Sequence, residues 1–341
     1  MDKNIEKIFE KFNNLKVLII GDVMLDSYLW GKVERISPEA PVPIVAVKRR
    51  ESRPGGAANV ALNIASLGAK PYLCSVIGDD IRGNEFLTML QKLNLNANGI
   101  ICSKERITTT KFRIIGNNVQ MLRVDEEIDT SLSMADKELL KNKINDFCIN
   151  NKPDVIIFQD YNKGVIDEEL IYYVVNKANS LNIPVAVDPK RRNFHFYKGI
   201  KLFKPNLKEL KEGINVNDEI LDIKIIQDKI IEFQKAQNID ILLITLSEQG
   251  IYLSYKKEYD EYINVHLPAH LRDIADVSGA GDTVVSLAAL CIALQIEPVL
   301  LAELSNLAGG IVCEKVGVVP IEKDLLLEEA KKYCLNFKNS F

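Results

Sequence analysis

Short apolar runs alternate with amphipathic, helix-length segments along most of the 341-residue chain. The runs predicted to be strands are 16–21, 71–77, 155–159, 184–188 and 240–246. The segments predicted to be helices are 57–67, 83–93, 135–149, 168–179, 222–237 and 280–294. Strands and helices that alternate in this way favour a mostly parallel sheet covered by helices on both faces. We therefore expect an α/β fold.

Residues at approximately 27–50 and 108–124 break this alternation, because each stretch contains strand-like runs with no helix between them. The sequence GNN at 116–118 is a turn signal within the second stretch. The two stretches predict a small antiparallel β lid in a single domain that spans 1–341. A lid that closes over a site excludes water from its chemistry; the alternative is a β-extension without function.

Charge and hydropathy exclude several classes of protein. The formal net charge is −4 and no basic stripe is present, so we expect no nucleic-acid partner. The longest apolar runs are strand-sized and too short to span a bilayer, and the charged N-terminus is unlike a signal peptide. We expect a cytoplasmic protein with no membrane partner. The six cysteines lack C-x-x-C spacing, which favours buried apolar roles over zinc binding.

The segment DVSGAGDT at 276–283 is the most informative part of the sequence. Its small residues leave backbone N–H groups unobstructed, and an apolar, helix-forming run follows. A glycine-rich turn that opens a helix forms an anion site. Asp282 at the helix start is placed to accept a proton from an attacking hydroxyl. Taken singly, an Asp here is often only a helix cap, and Gly-Ala-Gly only a tight turn.

A second glycine-rich segment, RPGGAANVA, occupies 53–61. The pair Gly55 and Gly56 permits close backbone approach to a ligand. Asn59 offers a donor and acceptors for sugar hydroxyls, although a helix-start turn with an exposed Asn explains the same pattern. Asp26 follows the first strand, where open α/β sheets bind ligands.

The two glycine-rich segments together resemble the signatures of the ribokinase-like (PfkB) carbohydrate kinases. The resemblance implies a ribokinase-like fold and ATP-dependent transfer of a phosphoryl group to a sugar. It makes Asp282 the catalytic base and assigns the anion hole to Gly279, Ala280 and Gly281. It also implies that the sugar is bound by Asp26, Gly55, Gly56 and Asn59.

Further motifs follow in the family's order. The segment NLKE at 206–209 resembles the N-x-x-E motif associated with Mg²⁺ and the nucleotide phosphates, and TLSEQG at 245–250 resembles the nucleotide-binding turn. The residues that the resemblance assigns to ATP are Asn206, Lys208, Glu209, Thr245, Ser247, Gly250 and Asn306. Glu209 is expected to hold Mg²⁺ through water, and some relatives use K⁺. From the residues alone, Asn206 and Glu209 also fit a capping box.

Finer matches at 21–26, 35–43, 53–61, 160–164, 187–190 and 247–250 resemble the kinase portion of ADP-heptose synthesis enzymes. The resemblance implies phosphorylation of D-glycero-β-D-manno-heptose 7-phosphate at O1, which supplies lipopolysaccharide core assembly. Many such enzymes carry a following nucleotidyltransferase domain with an H-x-G-H signature. No such pattern occurs in this sequence, so we expect the kinase domain alone.

A phosphorylated sugar needs fixed cations near its distal phosphate. Lys111 and Arg113 share one face of a lid strand by their period-two spacing, and Arg123 lies on the expected partner strand. A solvated basic face is the alternative. An exposed lid edge also suits pairing between two copies of the chain, so we expect a homodimer through the lid strands.

Two other functions remain open from the sequence. A ribokinase-like kinase for another sugar, sugar phosphate or nucleoside would keep every catalytic residue named above. A sugar-sensing protein without catalysis is the alternative from another class. The sequence contains neither a Walker-type phosphate loop nor a G-x-G-x-x-G after a strand, which disfavours P-loop NTPases and nicotinamide dehydrogenases.

Overall fold

The computed structural model describes residues 5–217, 223–257, 261–270 and 272–338. In chain order the strands are β1 (Lys16–Gly21), β2 (Val23–Ile36), β3 (Pro43–Gly56), β4 (Lys70–Gly78), β5 (Ile100–Ser103), β6 (Thr110–Gly116), β7 (Val119–Glu126), β8 (Val155–Gln159), β9 (Val185–Asp188), β10 (Leu202–Phe203), β11 (Ile241–Thr245), β12 (Ile251–Lys256) and β13 (Tyr262–Leu267). The helices are α1 (Ile5–Phe12), α2 (Ala57–Ser66), α3 (Ile81–Lys92), α4 (Met134–Asn151), α5 (Glu168–Ser180), α6 (Leu207–Gly213), α7 (Gln227–Gln237), α8 (Ala280–Ala293), α9 (Pro298–Cys313) and α10 (Lys323–Lys338).

The larger sheet has nine strands in the order β13-β12-β11-β10-β9-β8-β1-β4-β5. Strands β11 to β5 in this order pair in parallel, and β12 and β13 add an antiparallel hairpin at one edge. All five residues of β8, Val-Ile-Ile-Phe-Gln, are buried. Such continuous apolar runs are typical of parallel strands that are covered on both faces.

Helices cover both faces of this sheet. Val17 and Ile19 of β1 belong to a hydrophobic cluster with helices α1–α3 and α8–α10, whereas Leu18 and Ile20 belong to a second cluster with α4–α7. Successive side chains of a strand point to opposite faces, so the alternation along β1 divides the core into two layers. The sequence prediction of a helix-covered parallel sheet is confirmed.

The smaller sheet has four strands in the order β3-β2-β6-β7. Its two hairpins, β2–β3 and β6–β7, are antiparallel, and β2 and β6 pair in parallel between them. Asn117 and Asn118 form the predicted turn between β6 and β7, with φ of 52° and 64°. Since β2 follows directly after β1 and β3 runs into α2, this sheet, the lid, is attached at the carboxyl end of β1.

Several element bounds differ from those predicted. β2 and β3 contain 14 residues each, and their outer halves are too polar and charged to be recognised as strands from the sequence. The helix predicted at 222–237 is a 3₁₀ turn at Ile223–Ile226 followed by α7, and its first predicted residue lies outside the described residues. The edge hairpin β12–β13 was not predicted. Within the described residues, no helix is long and apolar enough to cross a bilayer.

Candidate active site

The carboxylate of Asp282 lies in the first turn of α8 and is only 4% exposed. Its Oδ2 accepts a hydrogen bond from Asn59 Nδ2 at 2.7 Å. Its Oδ1 accepts hydrogen bonds from Gln159 Nε2 at 3.0 Å and from the Tyr161 hydroxyl at 2.9 Å. Both oxygens of the predicted base therefore face donors contributed by three other elements of the fold.

The pKa of Asp282 is raised to about 6, chiefly by burial and also by the nearby Asp188 carboxylate. Hydrogen bonds from Asn59 and Tyr161, together with the Lys204 ammonium, act in the opposite direction. A carboxylate with such a pKa is ionised at neutral pH yet basic enough to accept a proton from a hydroxyl. This environment fits the predicted role as general base.

The turn before α8 has the features of an anion site. Gly279 adopts the left-handed conformation, with φ of 83°, and no side chain caps the helix. The Nζ atom of Lys204 lies 3.3 Å from the point where a Cβ on Gly281 would be. N–H groups at a helix start attract anions, although that of Ala280 already donates to the backbone oxygen of Val277 at 3.3 Å. The buried Lys204 ammonium beside them is a further positively charged donor. Gly279, Ala280 and Gly281 thus form a cradle suited to phosphate oxygens.

Lys204 is 3% exposed and its ammonium pairs with the Asp188 carboxylate at 3.0 Å. Asp188 in turn accepts a hydrogen bond from Gln159 Nε2 at 3.2 Å. Asp188 Oδ1 and Gln159 Oε1 are buried and have no hydrogen-bond partner among the described residues. This polar network runs from Asp282 to the glycine turn at 279–281.

Asp26, Gly55 and Gly56 lie together where the lid joins the larger sheet. Arg113 donates a hydrogen bond to Asp26, whose carboxylate is buried. A Cβ on Gly55 would lie 2.5 Å from Asp26 Oδ2, and one on Gly56 would lie 2.3 Å from the backbone oxygen of Asp22. Gly56 also has φ of 62°. Both glycines are therefore required by close approaches within the chain itself. Asn59 donates a hydrogen bond to Asp282.

The three basic lid residues differ in their surroundings. Lys111 lies opposite Asp26 in the register between β2 and β6, and its ammonium lies 5.4 Å from the centroid of the Tyr161 ring. Burial lowers the pKa of Lys111, and no carboxylate of the described residues forms an ion pair with it. Arg113 is paired with Asp26. Arg123 lies opposite Arg113 in the register between β6 and β7.

Arg123 has a carboxylate partner of its own, because Asp125 accepts two hydrogen bonds from its guanidinium, at 2.8 Å and 2.5 Å. The Arg123 side chain is 46% exposed. Among the three predicted phosphate ligands, Lys111 is therefore the one that lies beside the Tyr161 ring and lacks an ion pair in the described part of the chain.

Asn206 and Glu209 form the capping box at the start of α6. Asn206 Oδ1 accepts from the Glu209 backbone N–H at 2.8 Å, and Glu209 Oε2 accepts from the Asn206 N–H at 2.9 Å. The remaining oxygen of Glu209 is paired with Lys190, whose ammonium lies 5.4 Å from the Tyr161 ring centroid. Lys208 is 76% exposed and pairs weakly with Glu212 at 3.9 Å.

The other residues assigned to ATP lie around a neighbouring part of the sheet. Thr245 forms an isolated bridge with Asn206. Ser247 and Gly250 have φ of 53° and 90°, and a Cβ on Gly250 would lie 2.2 Å from the backbone oxygen of Leu267. Asn306 donates to the backbone oxygen of Pro268 at 2.8 Å. Gly250 and Asn306 thus both approach the segment that follows β13.

Asp22 holds the loop that carries Tyr161. Its buried carboxylate accepts three backbone hydrogen bonds, from Tyr161 at 2.8 Å, Lys163 at 3.1 Å and Val165 at 3.0 Å. The sequence left open whether Asp22 contacts the substrate or shapes a turn. In the structure it anchors the loop after β8.

Five polar residues of the site were not predicted as functional. They share a position at or just after the carboxyl ends of β8, β9 and β10, and they are Gln159, Tyr161, Asp188, Lys190 and Lys204. Ligands of open α/β sheets bind beyond the carboxyl ends of strands, so this position was one available signal. Tyr161, Asp188 and Lys190 also lie in segments, 160–164 and 187–190, that resemble the ADP-heptose synthesis enzymes.

Comparison with known proteins identifies a family. A model described as pfkB family carbohydrate kinase matches residues 14–324. The bifunctional protein HldE of Methylobacillus flagellatus is 39% identical over 315 residues, which are 92% of this chain and 62% of that protein. The bifunctional protein HldE of Helicobacter pylori is 40% identical over 305 residues, 89% of this chain and 64% of that protein. This chain therefore spans less than two thirds of the length of these curated relatives.

Solved structures show the same fold. Phosphofructokinase-2 from Escherichia coli, in complex with potassium, matches 94% of this chain and 98% of its own with a TM-score of 0.75 and 17% identity. Arabidopsis thaliana ribokinase, complexed with ribose and ATP, matches 92% of this chain and 98% of its own with a TM-score of 0.68 and 16% identity. The expected ribokinase-like fold is confirmed. Because the family model covers most of its length, the chain belongs to the pfkB family of carbohydrate kinases.

Proposed function

We propose that this chain transfers the γ-phosphoryl group of ATP to O1 of D-glycero-β-D-manno-heptose 7-phosphate. The products are the 1,7-bisphosphate and ADP, and the former supplies lipopolysaccharide core assembly. The observation that carries the proposal is the buried Asp282 carboxylate at the start of α8, next to an uncapped glycine turn and the buried Lys204. The likeness to HldE proteins over about nine tenths of the chain supports the choice of a heptose.

Transfer proceeds by direct in-line displacement. The sugar O1 attacks the γ-phosphorus while Asp282 takes its proton, and the bond to the ADP oxygen breaks. The N–H groups of the turn at 279–281 and the Lys204 ammonium stabilise the charge that builds on the phosphoryl oxygens. No covalent phosphoenzyme is required, because base and anion site lie on the same helix start.

ATP would lie along the segment from Asn206 to Asn306, with its phosphates toward the glycine turn. Mg²⁺ neutralises the phosphate charge when bound, and it usually keeps several waters and few protein ligands. Glu209 fits such a water-mediated contact, because its carboxylate is fixed by the cap and by Lys190. Among the described residues, no group of three or more His, Cys, Asp or Glu side chains is arranged to hold a metal. We also propose a monovalent cation such as K⁺ as a further cofactor.

The distal phosphate of the sugar would bind Lys111 and Arg113, with Arg123 as a further cation at the rim. Lys111 supports this placement because it is half-buried without an ion pair among the described residues, a costly state for an ammonium unless an anion joins it. Arg113 is only 17% exposed and already oriented by Asp26. The sugar hydroxyls would then contact Asp26 and Asn59, with Gly55 and Gly56 making room.

We also propose a cytoplasmic homodimer that pairs through the lid. Leu122 and Val124 on β7 are 55% and 42% exposed and alternate with Arg123 and Asp125, so the apolar side chains lie on the opposite face from the charged ones. Light scattering would test this: Leu122→Lys should give a monomer. The control Ile149→Lys, at a 58% exposed apolar side chain of α4, should leave the dimer intact.

The position of phosphorylation tests the proposal directly. ³¹P and ¹H NMR of the product formed from MgATP and the heptose 7-phosphate should show a new phosphate coupled to the anomeric proton. Coupling to any other ring proton would reject transfer to O1.

A further inference from the structure

We infer that Tyr161 is a positioning residue of this kinase: together with Asn59 and Gln159, its hydroxyl holds the Asp282 carboxylate in its ionised form and in a fixed orientation. This inference rests on the proposed role of Asp282 as base. Tyr161 stands two residues after β8, in a loop to which neither glycine signature assigns a role. The hydroxyl donates to Asp282 Oδ1 at 2.9 Å.

The Tyr161 ring is held from several directions. Its backbone N–H donates to the buried Asp22 carboxylate at 2.8 Å. The ammonium groups of Lys111 and Lys190 each lie 5.4 Å from its ring centroid, a distance at which cations are attracted to an aromatic face. One of these cations comes from the lid and the other is paired with Glu209. The Tyr161 ring therefore lies next to Asp282, between Lys111 on the proposed sugar side and Lys190 on the proposed nucleotide side.

Tyr161 can act only as a neutral donor here. Burial raises the pKa of its phenol well above the usual value, and the Asp282 carboxylate raises it further. A protonated phenol that donates to a carboxylate favours the charged form of that carboxylate. Burial and Asp188 oppose that charge, while Lys204 and Lys190 favour it. Asn59 and Gln159 are neutral donors, so they do not change charge over the working pH range.

The test is the variant Tyr161→Phe, which keeps the ring and its two cation contacts and removes only the hydroxyl. We would measure kcat/KM from pH 5 to 9.5 with saturating MgATP and the heptose 7-phosphate, or whichever sugar proves to be the acceptor. The low-pH fall in kcat/KM, the acid limb, should move to higher pH by about one pH unit. This shift reduces kcat/KM about fivefold at pH 6 and changes it little at pH 9. An equal loss at both pH values would overturn the inference, because a merely structural role predicts it.

Tyr197→Phe is the matched control. The Tyr197 hydroxyl also donates to a buried carboxylate with a pKa of about 6, that of Asp160, at 3.0 Å. It makes no hydrogen bond to Asp282, so its removal should leave the acid limb in place. If both variants shift the limb alike, the shift reflects general loosening of the loop and the inference fails.

Direct titration separates this inference from the proposed function. The Asp282 carboxyl carbon can be followed by ¹³C NMR in the full chain, with Asp282→Asn for assignment, whether or not a sugar is turned over. Tyr161→Phe should raise the midpoint of that titration. Replacement of Tyr161 by a fluorinated tyrosine, a more acidic donor, should lower it. An unchanged midpoint in both would refute the role of Tyr161 even if heptose phosphorylation is confirmed.

Discussion

Asn59 Nδ2 donates to Asp282 Oδ2 at 2.7 Å, although the two residues are 223 positions apart in the chain. A second link lies beside it, where the Thr283 hydroxyl donates to Asn63 Oδ1 at 3.0 Å. These contacts join α2 to the start of α8, so the two glycine-rich segments lie side by side. Asp282, the proposed base, is therefore oriented by the same helix that follows the Gly55–Gly56 pair.

Replacement of Asp282 by Asn should abolish most turnover, because an amide cannot accept the proton of the attacking hydroxyl. We expect kcat to fall by about 100-fold to 10,000-fold. Calorimetry should show that ATP and the sugar still bind. Asp240→Asn is the control, since that exposed carboxylate pairs with Lys201 at the surface and its loss should leave kcat unchanged. An Asp282→Asn enzyme with near-normal turnover would exclude the base role.

The pH profile of the unmodified enzyme should report the environment of Asp282. Burial raises the pKa of this carboxyl to about 6, and only the ionised form accepts a proton. Activity should therefore be complete above neutral pH and fall tenfold per unit as the pH drops below about 6. A kcat/KM that stays flat down to pH 4.5 would show that no group with a raised pKa is the base.

A side chain at Gly279 should be unfavourable, because the turn there is left-handed and closely surrounded. An added Cβ would lie 3.1 Å from both Asn59 Nδ2 and Val318 Cγ1, and a positive φ costs an Ala about 1 kcal/mol of stability. Gly279→Ala should lower both the free energy of unfolding and kcat/KM, because the added carbon crowds the amide that orients the base.

Gly199→Ala provides the control for that backbone strain. Gly199 has φ of 67°, but its nearest neighbours would lie 3.8 and 3.9 Å from an added Cβ. It should lose about 1 kcal/mol of stability with kcat/KM unchanged. If Gly279→Ala kept full activity as well, the turn would not be part of the phosphate site.

Lys111→Ala should weaken binding of a phosphorylated sugar selectively. Loss of one charge-assisted contact to phosphate predicts a KM about tenfold higher for the heptose 7-phosphate. The KM for the unphosphorylated heptose should not change. Lys48→Ala, at an exposed lid position, is the control and should affect neither substrate. Equal effects of Lys111→Ala on both sugars would exclude Lys111 as the phosphate ligand.

Much of the fold follows from local sequence. The apolar run of β1 has the predicted bounds, and α8 begins at the predicted glycine turn because small residues and an apolar helix stand side by side. The GNN turn of the lid follows from the ease with which Asn adopts positive φ. These features depend on residues that are adjacent in the sequence, so they can be predicted from one sequence alone.

The remaining parts of the site depend on topology. From the sequence, Lys204 looks like the end of an ordinary strand. Its ammonium lies between Asp188 and Gly281 only because of the way that β9, β10 and α8 are arranged in the fold. Asp22 reads as a turn residue, whereas three backbone N–H groups 139 to 143 positions away reach its carboxylate. The hydrogen bond from Tyr161 to Asp282 likewise joins residues that are 121 positions apart and depends on the fold. Residue type gives no sign of such long-range contacts.

The most direct test is a coupled ADP-release assay with MgATP and D-glycero-β-D-manno-heptose 7-phosphate, run beside fructose 6-phosphate, ribose and adenosine. A kcat/KM for the heptose phosphate far above those of the other three acceptors is the predicted result. Preferred turnover of another acceptor would keep the kinase and refute the heptose. ATP binding with no turnover of any of the four would contradict the proposed function and favour a sugar-sensing protein.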